Sequence, residues 1–175
     1  MRLFLGFPIT DDIIKECLSL QEELKKTGVK MKLVERENLH ITLKFLGEVP
    51  ESRIDKLVNI LELVDERPFE CHTTSVGAFP NKNYVRVIWL GVESESILSI
   101  HDFIDAELAE IGFQRDKNYV PHITLARVKE RPNSALSSMI GKKIEREFKI
   151  DKILLMKSKL TREGPVYEIV HEKLL

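Results

Sequence analysis

Two histidines in this chain head identical tetrapeptides, His40-Ile41-Thr42-Leu43 and His122-Ile123-Thr124-Leu125. An imidazole titrates near neutrality, so one copy can take a proton while the other gives one. A threonine hydroxyl can donate to an anionic oxygen, in a bond stronger than one between neutral groups. Set on opposite sides of one phosphorus, the two pairs would supply a base for an attacking water or hydroxyl and an acid for the departing oxygen. The hydroxyls would grip the non-bridging oxygens. That is equipment for in-line displacement. It requires no metal and suits a reactive substrate such as a strained five-membered cyclic phosphate.

A metal site is the rival use of paired histidines. Zinc takes three or four His, Cys or carboxylate ligands. Neither motif places an Asp, Glu or Cys beside its histidine on the same face. No metal and no cofactor is expected.

The elements that must carry these residues are strands. In Leu39-His40-Ile41-Thr42-Leu43-Lys44-Phe45, residues 39, 41, 43 and 45 are apolar and fall on one face. His40, Thr42 and Lys44 fall on the other, because side chains alternate across a strand. The second copy repeats this, Ile123 and Leu125 inward, His122 and Thr124 outward. Around them the pattern predicts strands at 2–7, 29–34, 69–78, 85–92 and 119–128. It predicts helices from Thr10 or Asp11 to Lys26, from about 51 to Glu66, and from Ser96 to Gly112. A short helix after Ser134 and strands at 148–156, 159–160 and 166–174 complete the chain.

The two halves run in parallel. Leu3 stands 37 residues before His40 (40 minus 3), and Val85 stands 37 before His122 (122 minus 85). A strand, a helix and a histidine strand recur in order, the signature of a duplicated unit. The expectation is one bilobal domain over residues 1–175. Its repeats cover roughly 1–68 and 69–131, related by a pseudo-twofold axis, and the strands of 145–175 follow them. The fold class is α+β, with antiparallel sheets flanked by helices around a central cleft. The two histidine strands would face each other across that cleft.

Composition narrows the partners. The 175 residues carry a net charge of −1, so no global basic field draws long nucleic acid to the surface. A local pocket for one phosphate remains open. Cys17 and Cys71 read as buried free thiols, which fits the cytoplasm. No apolar run reaches membrane-spanning length, and a monomer is expected.

The remaining candidates have plainer readings. Lys44 continues the outward face, toward phosphate or solvent. Strict alternation puts Arg127 opposite His122, and only a bulge or twist would bring it to the groove. Trp89 reads as core and Tyr84 as an exposed aromatic. Lys82, Arg86, Arg115 and Lys117 could form a basic rim. His101 reads as packed on a helical stripe and His72 as solvated. His171 receives no role.

Together these features resemble the 2H phosphoesterase superfamily, and more narrowly the RNA 2′,3′-cyclic phosphodiesterase (2′-5′ RNA ligase) family. The resemblance lies in His40-Ile41-Thr42-Leu43-Lys44-Phe45-Leu46-Gly47 and in Pro121-His122-Ile123-Thr124-Leu125-Ala126-Arg127. It extends to Phe79-Pro80 with Arg86-Val87-Ile88-Trp89-Leu90-Gly91, and to Ser158-Lys159-Leu160-Thr161 with Gly164-Pro165-Val166-Tyr167. Ala126 departs from a glycine common in relatives. The resemblance implies hydrolysis of RNA ends bearing a 2′,3′-cyclic phosphate to 2′-phosphomonoesters, with small nucleotides as further ligands. By the same analogy His40 protonates the leaving 3′ oxygen and His122 activates water. Thr42 and Thr124 hold the phosphate, and Arg127 assists. The near-symmetric motifs do not themselves fix which histidine is acid. Two alternatives stand beside hydrolysis: 2′-5′ end joining by the same site, and a binding module without turnover.

Overall fold

The computed structural model describes residues 1–175. The chain runs β1 (Arg2–Phe7), α1 (Asp11–Lys26), β2 (Met31–Leu33), β3 (Ile41–Glu48), α2 (Ile54–Glu62), β4 (Phe69–Asn81) and β5 (Tyr84–Glu93). It continues with α3 (Glu95–Glu110), β6 (His122–Val128), α4 (Ser134–Met139), β7 (Glu147–Ile150), β8 (Lys152–Thr161) and β9 (Gly164–Leu174). The α+β class is as expected. All nine strands belong to one antiparallel sheet in the order β7-β4-β5-β6-β3-β1-β8-β9, with β2 also on β6. No helix is long and apolar enough to cross a membrane.

The histidine strands are neighbours in this sheet, where the sequence placed them face to face across the groove. They share a single pair, Ile41 opposite Ile123. Beyond it β2 pairs with β6 through Met31–Val128, Lys32–Arg127 and Leu33–Ala126, so β3 and β6 part company at the cleft.

Both motif strands are bulged at the same place. Lys44 pairs with Leu5 and Thr42 with Gly6, which leaves Leu43 as an extra residue. Ala126 pairs with Ile88 and Thr124 with Trp89, which leaves Leu125 extra. A bulge shifts the inward–outward alternation by one. Leu43 and Lys44 are accordingly both buried, as are Leu125 and Ala126. These pairings also align Leu5 with Ile88, so the register between halves is one residue off the Leu3–Val85 spacing read from sequence.

Each bulge is backed by a helix from the other half. In α1 the stripe Ile13, Cys17, Leu20 and Leu24 is buried, and Gln21 is buried among them. Its amide donates to the carbonyls of Val34 (2.8 Å) and Leu125 (2.9 Å), the latter on the second bulge. In α3 the matching buried polar residue is Asp105, which binds Lys44 beside the first bulge at 2.6 Å. Gln21 and Asp105 are each the eleventh residue of a 16-residue helix.

Several sequence boundaries move. Thr10 precedes α1 in extended geometry but makes no side-chain cap bond; Ser94 caps α3. The second helix stops at Glu62 and leaves Leu63 exposed. Residues 159–160 are part of the long β8–β9 hairpin, not a separate strand.

Candidate active site

Each histidine sits at the mouth of its strand and is held in the same way. The His40 ring Nδ1 lies 2.6 Å from the Asn38 carbonyl, and the His122 Nδ1 lies 2.6 Å from the Val120 carbonyl. A carbonyl only accepts, so in both neutral rings Nδ1 carries the proton and Nε2 keeps its lone pair. His40 Nε2 is 2.9 Å from the Thr42 hydroxyl, which donates to it.

Aromatic rings box in both imidazoles. His40 lies between Phe4 (centroids 5.0 Å apart) and Tyr167 (5.4 Å, edge-on). His122 lies between Phe79 (4.9 Å, edge-on) and Trp89 (5.8 Å). Two glycines make room. A Cβ on Gly6 would stand 2.9 Å from the Ile41 carbonyl and 3.2 Å from His40. A Cβ on Gly77 would overlap the Trp89 ring.

This packing sets the protonation states. Burial pushes His40 below the ordinary histidine value, and a charge on His122 would push it further. Burial likewise lowers His122, with the Arg127 guanidinium adding to the effect. The carbonyl bonds oppose both shifts without reversing them. Both rings therefore rest neutral at pH 7.

A cleft of about 500 Å³ opens beside the motifs. Its walls include His40, Thr42, Thr124 and Arg127, with Arg2 and Lys32 adding positive charge. His122 stands beside this cleft, in the aromatic box, rather than on its lining. The bulge at Leu125 supplies the turn that Arg127 needed, and this residue now shares the cleft with Thr124.

Two sequence readings are overturned here. Lys44 meets neither phosphate nor solvent: it is 3% exposed and bound to Asp105 (2.6 Å), Asp116 (3.0 Å) and the Gln114 carbonyl (2.9 Å). Alternation assigns Phe45 to the core, yet it is 70% exposed and lines the cleft. Both follow from the Leu43 bulge, which displaces the alternation after Thr42. Phe45 and Arg127 occupy the same position in the two copies.

Other candidates fall away from the cleft. Arg115 pairs with Asp105, and Arg86 stacks over and bonds Tyr84 on β5. Trp89 is half-buried against His122 rather than in the core. His101 is buried as expected, His72 is exposed beside Glu93, and His171 pairs with Glu62. His101, Asp105 and Asp116 bring ligand atoms within 4.8 Å of one another. The Lys44 ammonium already bridges the two carboxylates and His101 bonds Asp116, so this trio belongs to an ion-pair cluster.

The arrangement can move protons at two imidazole Nε2 atoms and hold an anion with two hydroxyls and a guanidinium. Comparison with known proteins gives the family. The model of the family described as "LigT like Phosphoesterase" matches residues 7–89 and again 90–167. The chain is 40% identical to the RNA 2′,3′-cyclic phosphodiesterase of Methanocaldococcus jannaschii, over 98% of this chain and 99% of that one. It is 38% identical to the protein of the same name from Archaeoglobus fulgidus, over 96% and 97%. Among solved structures it superposes on TT0787 of Thermus thermophilus with a TM-score of 0.90 and 27% identity, covering 100% and 98% of the two chains. Escherichia coli LigT complexed with 3′-AMP shares the fold at a TM-score of 0.79 and 22% identity, over 99% and 97%. A nearly full-length family match in two copies, one on each histidine motif, places this chain in the LigT-like phosphoesterase family.

Proposed function

We propose that this chain hydrolyses RNA 2′,3′-cyclic phosphate ends to 2′-phosphomonoesters by paired histidine catalysis. The observation that carries this reading is the matched pair of imidazoles. Each has Nδ1 held at 2.6 Å by the carbonyl two residues back, each turns an unprotonated Nε2 to the chemistry (that of His40 bonded by the Thr42 hydroxyl), and each has a threonine two residues on. The relatives named RNA 2′,3′-cyclic phosphodiesterase support the substrate.

In the proposed reaction, water attacks phosphorus and His122 Nε2 takes its proton. The P–O3′ bond breaks, and His40 Nε2–H protonates the departing 3′ oxygen. The product carries a 2′-phosphate and a 3′-hydroxyl. The Arg127 charge supports this division of labour, because it favours the neutral, basic form of His122. The phosphate's own charge would raise His40 toward its acid form on binding. Thr42, Thr124 and Arg127 take the non-bridging oxygens. Each positioned proton transfer contributes about 10²–10⁴-fold.

The cleft, about 500 Å³, suits one terminal nucleotide. Exposed Phe45 offers a face on which its base can stack. One chain supplies both motifs and both aromatic boxes, so the reading takes residues 1–175 as one duplicated catalytic unit acting as a monomer. The two free, buried cysteines fit a reducing cytoplasm.

Product analysis on a cyclic-phosphate-ended oligonucleotide tests the reading. A 2′-monophosphate is expected; a 3′-monophosphate, or no turnover, would contradict it. Adding an acceptor with a 5′-hydroxyl measures how far the same site runs in reverse to give a 2′-5′ linkage.

A further inference from the structure

The second motif reaches back to hold the first. Tyr119 lies in the segment that leads into β6, and its hydroxyl donates to the Thr42 carbonyl at 2.9 Å. That carbonyl adjoins the Leu43 bulge, where the regular ladder is interrupted. The Tyr119 ring is itself clamped. It stacks on His101 with centroids 3.9 Å apart and planes 3° from parallel. His101 Nε2 contacts Asp116 at 2.9 Å, and Asp116 contacts Lys44 at 3.0 Å. The circuit Tyr119–His101–Asp116–Lys44 thus closes on β3 two residues beyond Thr42. It grips the strand on both sides of the bulge.

We propose that Tyr119 is a positioning residue that sets the Thr42 hydroxyl, and through it His40, for phosphoryl chemistry. The catalytic half of this statement rests on the function proposed above; the geometric half does not. The Thr42 side chain bonds His40 Nε2 at 2.9 Å, so a shift of its backbone moves both a phosphate grip and the partner of the acid. Burial keeps the Tyr119 phenol protonated, so it remains a donor throughout the working pH range. It also explains why the chain entering one motif should be tied to the other: the two must share one phosphorus.

The test uses Tyr119→Phe, Thr42→Val and the double variant. Phenylalanine keeps the stack on His101 and removes only the hydroxyl, and a melting curve checks that the fold persists. Tyr119→Phe is expected to lower kcat/KM by about 10-fold, the scale of a misplaced reacting group. In the Thr42→Val background the same change should alter kcat/KM by less than about twofold, because the hydroxyl it positions is gone. Independently of turnover, NMR titration of Tyr119→Phe should show the His40 midpoint rising, since the neutral ring loses a well-placed donor. The His122 midpoint should stay in place. Full, additive losses in the cycle, or an unmoved His40 midpoint, would overturn the proposal. If the wild type turns over no cyclic phosphate, the function is wrong, and the titration alone then decides the role of Tyr119.

Discussion

Ile41 lies opposite Ile123 in the one residue pair that joins β3 to β6. Each residue stands between the His and the Thr of its motif. In an antiparallel pair centred there, His40 comes opposite Thr124 and Thr42 opposite His122. On the function proposed above, this is how a duplicated motif becomes one site. Two copies meeting antiparallel place a proton carrier and an anion grip on each side of the junction.

The first prediction concerns pH. Both imidazoles sit below the ordinary histidine value of 6.5, for reasons led by burial. A reaction needing one neutral and one protonated ring follows a bell in kcat/KM for free enzyme, centred midway between the two values. The centre should therefore lie below pH 6.5. Arg127→Met removes a charge that lowers His122 and should shift the bell upward. A profile still rising at pH 8 would contradict this.

Gln21 provides a second. Its amide satisfies the Val34 carbonyl and the bulge carbonyl of Leu125. Gln21→Leu strips a buried donor from two acceptors, at about 1–3 kcal/mol. It also loosens the bulge that turns Arg127 into the cleft. Denaturant midpoints should fall, and KM for the cyclic phosphate should rise several-fold. An unchanged KM would separate the bulge from substrate binding.

The cleft-lining residues His40, Thr42 and Thr124 were legible in sequence, and the misread side chains Lys44, Phe45 and Arg127 share one cause. The histidines and threonines sit ahead of each bulge, where simple alternation holds, so their shared face could be read directly. Lys44, Phe45 and Arg127 sit after it, and there alternation assigns the wrong face. Bulges arise from tertiary pairing and left no local mark in these strands. One signal was available: a glutamine on the apolar stripe of α1 needed a buried partner. The sheet order was less accessible, because a single pair between β3 and β6 has no pattern of its own.

A third prediction tests the buried cluster. Lys44 and Asp105 are each 3% exposed. Burial would raise the Asp105 carboxyl, yet bonds from Lys44, the Asp116 amide and Arg115 outweigh it and hold it below the ordinary 3.8. Lys44→Met leaves that carboxylate without its main partner, at about 3–5 kcal/mol. In the wild type a depressed carboxyl stabilises the fold fully above its unfolded value. That stability is lost as pH falls through the folded one. Acid unfolding should thus begin below about pH 4 in the wild type and at higher pH in Lys44→Met. Equal acid midpoints would refute this.

Gly77 gives a fourth. An added methyl would run into the Trp89 ring, and that ring packs between Phe79 and His122. Gly77→Ala should cost about 1–3 kcal/mol by overpacking. It should also lower kcat more than the loss of folded protein explains, because His122 shifts with the tryptophan. Full kcat per folded molecule would show that the aromatic box does not position His122.

The central claim is that the two imidazoles act together on one phosphorus. Its most direct measurement is turnover of a 2′,3′-cyclic-phosphate-ended oligonucleotide by His40→Ala, His122→Ala and the double variant. Residues that work as a unit are non-additive. Each single change should abolish nearly all activity, and the double should be no worse than either alone. Losses that multiply in the double variant, or substantial turnover in either single one, would contradict a shared phosphorus.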